Sequence, residues 1–110
     1  MSVLGKRLKA ARLRAGLSQE QLGLEAGLDA MSASARMNRY ELGKRVPDFS
    51  LMQEIARVLE MPAPYFYADD DVMAELIAQS GKLSTEALAA LAKSLEKNGV
   101  AEPGAERVLD

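Results

Sequence analysis

The sequence predicts an all-α fold, and three observations support this fold class. Apolar residues recur at helical spacing in several segments, for example Leu4, Leu8, Ala11 and Ala15 in the first one. Residues that favour helix ends flank these segments, such as Gly16 after the first. No segment alternates apolar and polar residues between turn residues in the way that a strand does. The length of 110 residues suits one domain with one hydrophobic core.

Residues with known capping preferences mark the ends of the predicted helices. Ser18 and Gln21 have the spacing of a capping box, in which each side chain accepts a hydrogen bond from the backbone N–H of the other residue. Asp48 and Ser84 are suited to the N-cap positions of two later helices. Proline is tolerated in a first turn, so the segment 62–64 indicates a short helix. The predicted helices span residues 3–15, 18–27, 32–41, 49–59, 62–66, 72–79 and 85–97.

The composition argues against several classes of function. The chain contains no cysteine and no histidine, which removes disulfide bonds, thiolate and imidazole metal ligands, and the side chain most often used in acid–base catalysis near neutral pH. We therefore expect no enzyme, no metal site and no cofactor. No apolar run approaches the ~20 residues of a membrane span, and the N-terminus lacks the apolar stretch of a secretory signal. We expect a cytoplasmic protein.

The net charge of −2 conceals an uneven distribution of charged residues. Residues 1–45 carry nine basic and four acidic side chains, whereas residues 46–110 carry five basic and twelve acidic ones. Such a chain can present a basic face to phosphate groups while its acidic part is repelled, which orients its approach to a nucleic acid. The alternative is a solvated surface with chance clustering of charge.

Several segments of the sequence together resemble a known family. They are LSQEQL at 17–22, EAG at 25–27, RYELGKR at 39–45, Pro47, and IARVL at 55–59. In this order they are similar to the lambda-repressor-like helix-turn-helix family of the xenobiotic-response-element (XRE) type, over roughly residues 3–67. The resemblance implies a five-helix DNA-binding domain whose third helix enters the major groove of double-stranded DNA.

The resemblance also implies which side chains contact DNA. Gln19 matches a glutamine that contacts phosphate, or it serves only the start of its helix. On the third helix, Asn38 and Arg39 are the first candidates for base reading, because asparagine can bond adenine and arginine can bond guanine. The loop after that helix would line the sugar-phosphate backbone. For all of these residues the alternative is an ordinary solvated surface. The expected DNA-contacting residues are Gln19, Ser34, Ala35, Arg36, Asn38, Arg39, Lys44 and Arg45.

Arg12 and Glu41 match a pair that forms a partly buried ion pair between the first and third helices of the family. Removing one partner would cost ~3–5 kcal/mol if the pair is buried. If both side chains are solvated, the loss would be under about 1 kcal/mol.

Apolar residues at helical spacing predict the core. Its expected members are Leu22, Leu28, Met37, Leu42, Phe49, Met52, Ile55, Leu59, Tyr65 and Phe66.

Two features depart from the family pattern. The chain has about four more residues than usual between Gly27 and Glu41, and we expect them to lengthen the turn before the third helix. If they extended that helix instead, Met31 and Ser32 would also approach DNA. Gly23 stands where alanine is usual, and a glycine inside a helix costs ~1 kcal/mol. A close approach between helices would explain it.

The last two predicted helices lie outside the resemblance. We expect residues 1–68 to form the DNA-binding domain, 69–99 a two-helix extension and 100–110 a flexible tail. The family reads paired half-sites about 34 Å apart as a homodimer. The extension is a candidate dimerisation element, or it folds back on its own domain. The residues available for pairing between subunits are Leu76, Ile77, Leu88, Leu91 and Leu95.

These observations predict a sequence-specific transcriptional regulator of repressor type that binds double-stranded DNA. One alternative is an antitoxin-like or phage-like regulator whose C-terminal part captures a protein partner. Another is a protein-interaction or coactivator module that no longer reads bases, because a fold alone does not fix a function. The basic residues on and after the third helix argue against that second alternative.

Overall fold

The computed structural model describes residues 2–99, in which it contains α-helices, one 3₁₀ helix and no strand. The predicted all-α fold is confirmed. The short helix predicted at 62–66 is the 3₁₀ helix. The expected tail at 100–110 lies outside the described residues. The elements are α1 (Val3–Arg14), α2 (Gln19–Glu25), α3 (Ala33–Glu41), α4 (Phe49–Val58), the 3₁₀ helix (Ala63–Tyr67), α5 (Asp71–Ser80) and α6 (Thr85–Asn98).

Side-chain caps fix the starts of the described α-helices, with α3 as the exception. The hydroxyl of Ser18 accepts from the backbone N–H of Gln21, and the Gln21 side chain accepts from the N–H of Ser18, so the capping box is present. The carboxylate of Asp48 accepts from the backbone N–H of Leu51 at 2.8 Å and caps α4. At α3 the N-cap residue Ser32 makes no side-chain cap bond. The other caps are Ser2, Asp70 and Ser84.

The core lies between α1, α2, α3, α4 and the 3₁₀ helix. Tyr65 and Phe66 close one end of it, and their rings meet edge to face with centroids 5.2 Å apart. This geometry suits the ring quadrupoles. The largest side chains that are completely enclosed are Leu8, Leu22, Met37, Met52, Ile55 and Phe66.

Two residues predicted as core are on the surface. Leu42 is 45% exposed and Phe49 is 68% exposed. Leu42 is the C-cap residue of α3, where the chain leaves the helix and Gly43 turns it with a φ of 77°. Phe49 is the first residue of α4, and the buried face of this helix begins only at Met52. Helical spacing alone predicted that both positions are buried, but each lies at the end of its helix, outside the core.

The helix α5 packs through its small residues. Ala74 and Ala78 are buried, whereas Val72 is 77% exposed and Leu76 is 49% exposed. Small side chains allow α5 to lie close to the 3₁₀ helix, and Ile77 packs at the edge of the core. The larger residues are left on the outer surface.

Arg7 ties α1 to the start of α5. Its guanidinium donates to the carbonyl oxygens of Ala68 at 2.9 Å and Asp69 at 3.2 Å, and it pairs with the Asp71 carboxylate at 2.9 Å. The Arg7 hydrogen bond, followed by the nearby charge of Lys6, lowers the pKa of Asp71 below its ordinary value. The extension is thus joined to the first helix by a buried cation.

The last helix of the described residues, α6, contributes no buried residue. It is amphipathic, and its Leu88, Leu91 and Leu95 share one face at spacings of three and four residues. Leu88 is 38% exposed and Leu95 is 57% exposed. Among the described helices, none is long and apolar enough to cross a membrane.

Candidate nucleic-acid interface

The turn between α2 and α3 contains the additional residues and leads into α3, which lies at the surface. Gly27 ends α2 with a φ of 97°, and Leu28 donates back to the carbonyl of Gly23. This is a Schellman arrangement. The carbonyl of Asp29 then accepts from the backbone N–H groups of Ser32 and Ala33, so the next residues form one turn. As expected, the extra residues lengthen the turn and α3 begins at Ala33. Met31 in this turn is 93% exposed.

The helix α3 has a buried face and an exposed polar face. Ala33, Met37, Tyr40 and Glu41 point into the protein. The opposite face carries the side chains that the sequence predicts to face DNA. They are Ser34, Ala35, Asn38 and Arg39, and all are exposed.

A polar cup of about 420 Å³ lies beside this face, at the end of α3. Arg36 donates to the hydroxyl of Tyr40 at 2.8 Å, and its guanidinium lies 5.9 Å from the centre of that ring. Arg39, Arg45 and the carboxylate of Asp48 complete the polar lining. Sequence reasoning missed Tyr40 as part of the site, although its spacing of four residues from Arg36 places the two side chains together on a helix. A cup with several guanidinium groups can bind a phosphate group by bidentate hydrogen bonds.

The loop after α3 holds its basic residues in a fixed turn. The backbone N–H of Gly43 donates to the carbonyl of Tyr40 at 3.1 Å, and the backbone N–H of Lys44 donates to the carbonyl of Arg39 at 2.9 Å. This is a second Schellman arrangement. The side chains of Lys44 and Arg45 are exposed. The cup and the loop therefore form one basic rim beside the polar face of α3.

Arg12 and Glu41 form a buried, two-pronged ion pair where α1 meets α3. The Nε and Nη2 atoms of Arg12 donate to the two carboxylate oxygens of Glu41 at 2.5 and 3.1 Å. The side chains of Arg12 and Glu41 are only 10% and 3% exposed. The third nitrogen of Arg12 donates to the carbonyl of Leu17. The pair fixes the end of α3 relative to α1 and to the loop before α2.

Gln19 connects this ion pair to the exposed face of α3. Its Nε2 atom donates to Glu41 Oε1 at 3.1 Å and to Asn38 Oδ1 at 3.2 Å. Both amide hydrogens therefore have acceptors within the protein. The residue lies at the first position of α2, immediately after the Ser18 cap. A short chain of polar contacts thus runs from Arg12 to Asn38.

Comparison with known proteins agrees with this arrangement. The helix-turn-helix domain family matches residues 3–64. The chain belongs to the helix-turn-helix domain family. The matched part of this helix-turn-helix protein contains all of the elements from α1 to α4. In residues 2–99, no group of three or more acidic, cysteine or histidine side chains could hold a metal ion.

One solved structure is similar to this helix-turn-helix protein over most of its length. It is the crystal structure of transcriptional regulator BswR, which is 45% identical in sequence, with a TM-score of 0.76. The match covers 84% of the present chain and 92% of the BswR chain. The likeness therefore extends beyond the helix-turn-helix domain into the C-terminal helices. No curated protein matches the sequence significantly.

Proposed function

We propose that this protein is a sequence-specific transcriptional regulator that binds double-stranded DNA, of the lambda-repressor-like XRE type. The observation that carries the proposal is the exposed polar face of α3, opposite a buried face and beside a basic rim. An α-helix fits the major groove, where the pattern of donors and acceptors distinguishes all base pairs. The likeness to transcriptional regulator BswR supports a regulatory role, and neither observation indicates an enzyme.

The protein makes two kinds of contact with DNA, one to base edges and one to phosphate groups. Asn38 and Arg39 read base edges, with Ser34 and Ala35 close to the same surface. Arg36, Lys44 and Arg45 contact phosphate groups and supply affinity that does not depend on sequence. The acidic C-terminal part of the chain is repelled by DNA, which helps to orient the approach of the protein. A regulator bound in this way can block access of other proteins to a promoter, which is the repressor mode that we favour.

The proposal extends to a homodimer held together by the C-terminal helices. A helix of 14 residues is marginally stable in water without tertiary packing, and α6 buries no side chain in its own chain. An apolar groove of about 660 Å³ lies between the end of α4, the segment after it, and α5. Leu88 of α6 lines one edge of this groove. A second α6 would cover the exposed leucines, and a two-fold dimer would meet two half-sites. A bound protein partner in the same place is the alternative.

Binding at several salt concentrations tests the function. We expect fluorescence anisotropy to show that a duplex containing the preferred site binds more tightly than a scrambled duplex. Replacing Lys44 and Arg45 together by alanine should weaken both duplexes by a similar factor and reduce the slope of log K against log salt by about 0.9 for each phosphate contact that is lost. Equal binding of the two duplexes by the unaltered protein would instead favour a protein-interaction module.

A further inference from the structure

In residues 2–99, the helices α1 to α4 all end at a residue with positive φ, and only the last of these residues is not glycine. After α4 the residue is Glu60, with a φ of 53°. Its backbone N–H donates to the carbonyl of Arg57, and the N–H of Met61 donates to the carbonyl of Ala56. A side chain destabilises this backbone conformation, so glycine would be the more stable residue. The glutamate at position 60 therefore points to a role for its side chain. The glycines at the other three ends are Gly16, Gly27 and Gly43.

Glu60 lines the apolar groove of about 660 Å³ between α4 and α5, where it supplies the free charge. Arg57 is the other charged residue of the lining, and its guanidinium is already engaged. It donates to the Glu54 carboxylate at 3.0 Å and to the carbonyl of Glu25 at 3.4 Å. In the described part of the chain, no cation forms an ion pair with Glu60. The apolar walls of the groove are Met61, Pro62, Pro64, Leu76, Ile77 and Leu88.

Two helix C-termini also meet at this groove. The helix α4 ends at Val58, immediately before Glu60, and α5 ends at Ser80, which lines the groove. Gly81 lies directly against Pro62, because a Cβ atom placed on Gly81 would be 2.5 Å from the Cγ of the proline. The C-terminus of a helix bears a partial negative charge and favours cations. The groove therefore combines apolar walls with a negative potential.

We propose that this groove binds an organic cation with a large apolar body, whose charge pairs with Glu60 while its body packs against the walls. A groove of this volume, mostly apolar and with a few polar groups, suits a small molecule. A smaller cleft of about 220 Å³ also borders Glu60, but Arg14 and Lys82 line it and would repel a cation. The proposal goes beyond the DNA-binding function and does not depend on it.

The experiment compares two probes of the same shape and opposite charge, tetraphenylphosphonium and tetraphenylborate. Isothermal titration of the full chain in sodium buffer, at fixed ionic strength, gives both affinities. We expect the phosphonium to bind about tenfold more tightly than the borate, as one charge pair near a protein surface allows. Leu76→Gln should weaken both probes by a similar factor, because Leu76 belongs to the apolar wall.

Three variants test the carboxylate of Glu60. Glu60→Gln retains the shape of the side chain, and it should bind the two probes about equally. Glu86→Gln is the matched control, since Glu86 is exposed on α6, does not line the groove and changes the net charge equally. It should keep the preference for the phosphonium. Glu60→Gly should also lose the preference, yet raise the melting temperature by about 4 °C, because glycine relieves the backbone strain. A residue with only a structural role would not combine these two effects.

Four outcomes would overturn the proposal. Equal binding of the two probes by the unaltered protein would show apolar adsorption without a role for charge. A preference for the phosphonium that survives Glu60→Gln, or that Glu86→Gln removes as well, would reflect the net charge of the protein. Unchanged affinities in Leu76→Gln would place the probes outside the groove. Binding of neither probe would leave the groove to a second copy of α6. Because the titrations contain no DNA, each of these outcomes leaves the proposed DNA-binding function standing.

Discussion

Gly23 of α2 lies directly against Ala33, the first residue of α3. A Cβ atom placed on Gly23 would be 2.8 Å from the Cβ of Ala33 and 3.0 Å from its carbonyl oxygen. Real Cβ atoms do not approach each other so closely. The absent side chain at position 23 therefore sets the distance between the two helices of the helix-turn-helix unit.

We expect Gly23→Ala to destabilise the protein and to weaken DNA binding. The gain in helix propensity is ~1 kcal/mol, whereas overpacking typically costs ~1–3 kcal/mol, and the start of α3 would be pushed away from α2. Urea unfolding and anisotropy measure the two effects. Adding Ala33→Gly to the variant removes the opposing Cβ atom and should restore part of the DNA binding. If Gly23→Ala alone is more stable than the unaltered protein, the close approach is not a constraint.

Replacing Arg12 by methionine should lower the free energy of unfolding by ~3–5 kcal/mol. Methionine retains most of the apolar stem but leaves the buried carboxylate of Glu41 without its cation, and an unpaired buried charge is costly. Urea denaturation measures the loss. Arg14→Met serves as the control, since Arg14 is exposed on the same helix and its removal should change stability by less than about 0.5 kcal/mol. A loss under 1 kcal/mol for Arg12→Met would show that the pair is effectively solvated.

Asp71 should contribute to stability in a pH-dependent manner. Its folded-state pKa is lowered from the ordinary value of 3.8, mainly by the hydrogen bond from Arg7. The contribution is therefore fully present above pH 3.8 and is lost as the pH falls through the lower, folded-state pKa. We expect Asp71→Asn to be less stable than the unaltered protein at pH 7 and the difference between them to shrink in acid. Urea unfolding at a series of pH values tests this. A difference that is constant from pH 7 down to pH 2 would contradict it.

Leu91→Glu should convert the proposed dimer into a monomer. Leu91 lies in the middle of the apolar face of α6, between Leu88 and Leu95, and a buried unpaired carboxylate would oppose association. Sedimentation velocity gives the molar mass of both forms. Ala90→Glu is the control, because Ala90 is exposed and lies off the leucine face. An unaltered protein that sediments as a monomer would refute the dimer and leave the apolar face for another partner.

Much of the fold followed from local chemistry in the sequence. The capping box at Ser18 and Gln21 and the glycines after α1, α2 and α3 act within a few residues of the chain, so the helix ends were predictable. The helix α5 was different. Leu76 and Ile77 were expected to be available for pairing between subunits, but the burial of Ala74 and Ala78 was not predicted, because it depends on the packing distance between α5 and the 3₁₀ helix. That distance depends on residues far apart in the sequence.

The candidate site was predictable in its residues but not in its connections. The motif around residues 39–45 located α3 and the basic loop. The hydrogen bonds of Gln19 depend on the orientations of three side chains from two helices, and no spacing along the chain specifies them. The contact between Arg36 and Tyr40 could have been found from their separation of four residues on one helix.

The most direct test of the account is the base preference of the protein with and without Arg39. Arg39 is exposed on the polar face of α3, whereas Arg14 lies on the surface near the end of α5. Duplexes are selected from a random pool at fixed salt with the unaltered protein, Arg39→Ala and Arg14→Ala. The account predicts that Arg39→Ala loses its preference at one base position and retains it elsewhere, while Arg14→Ala keeps the full preference. Identical preferences in all three proteins would contradict the assignment of α3 as the helix that reads DNA.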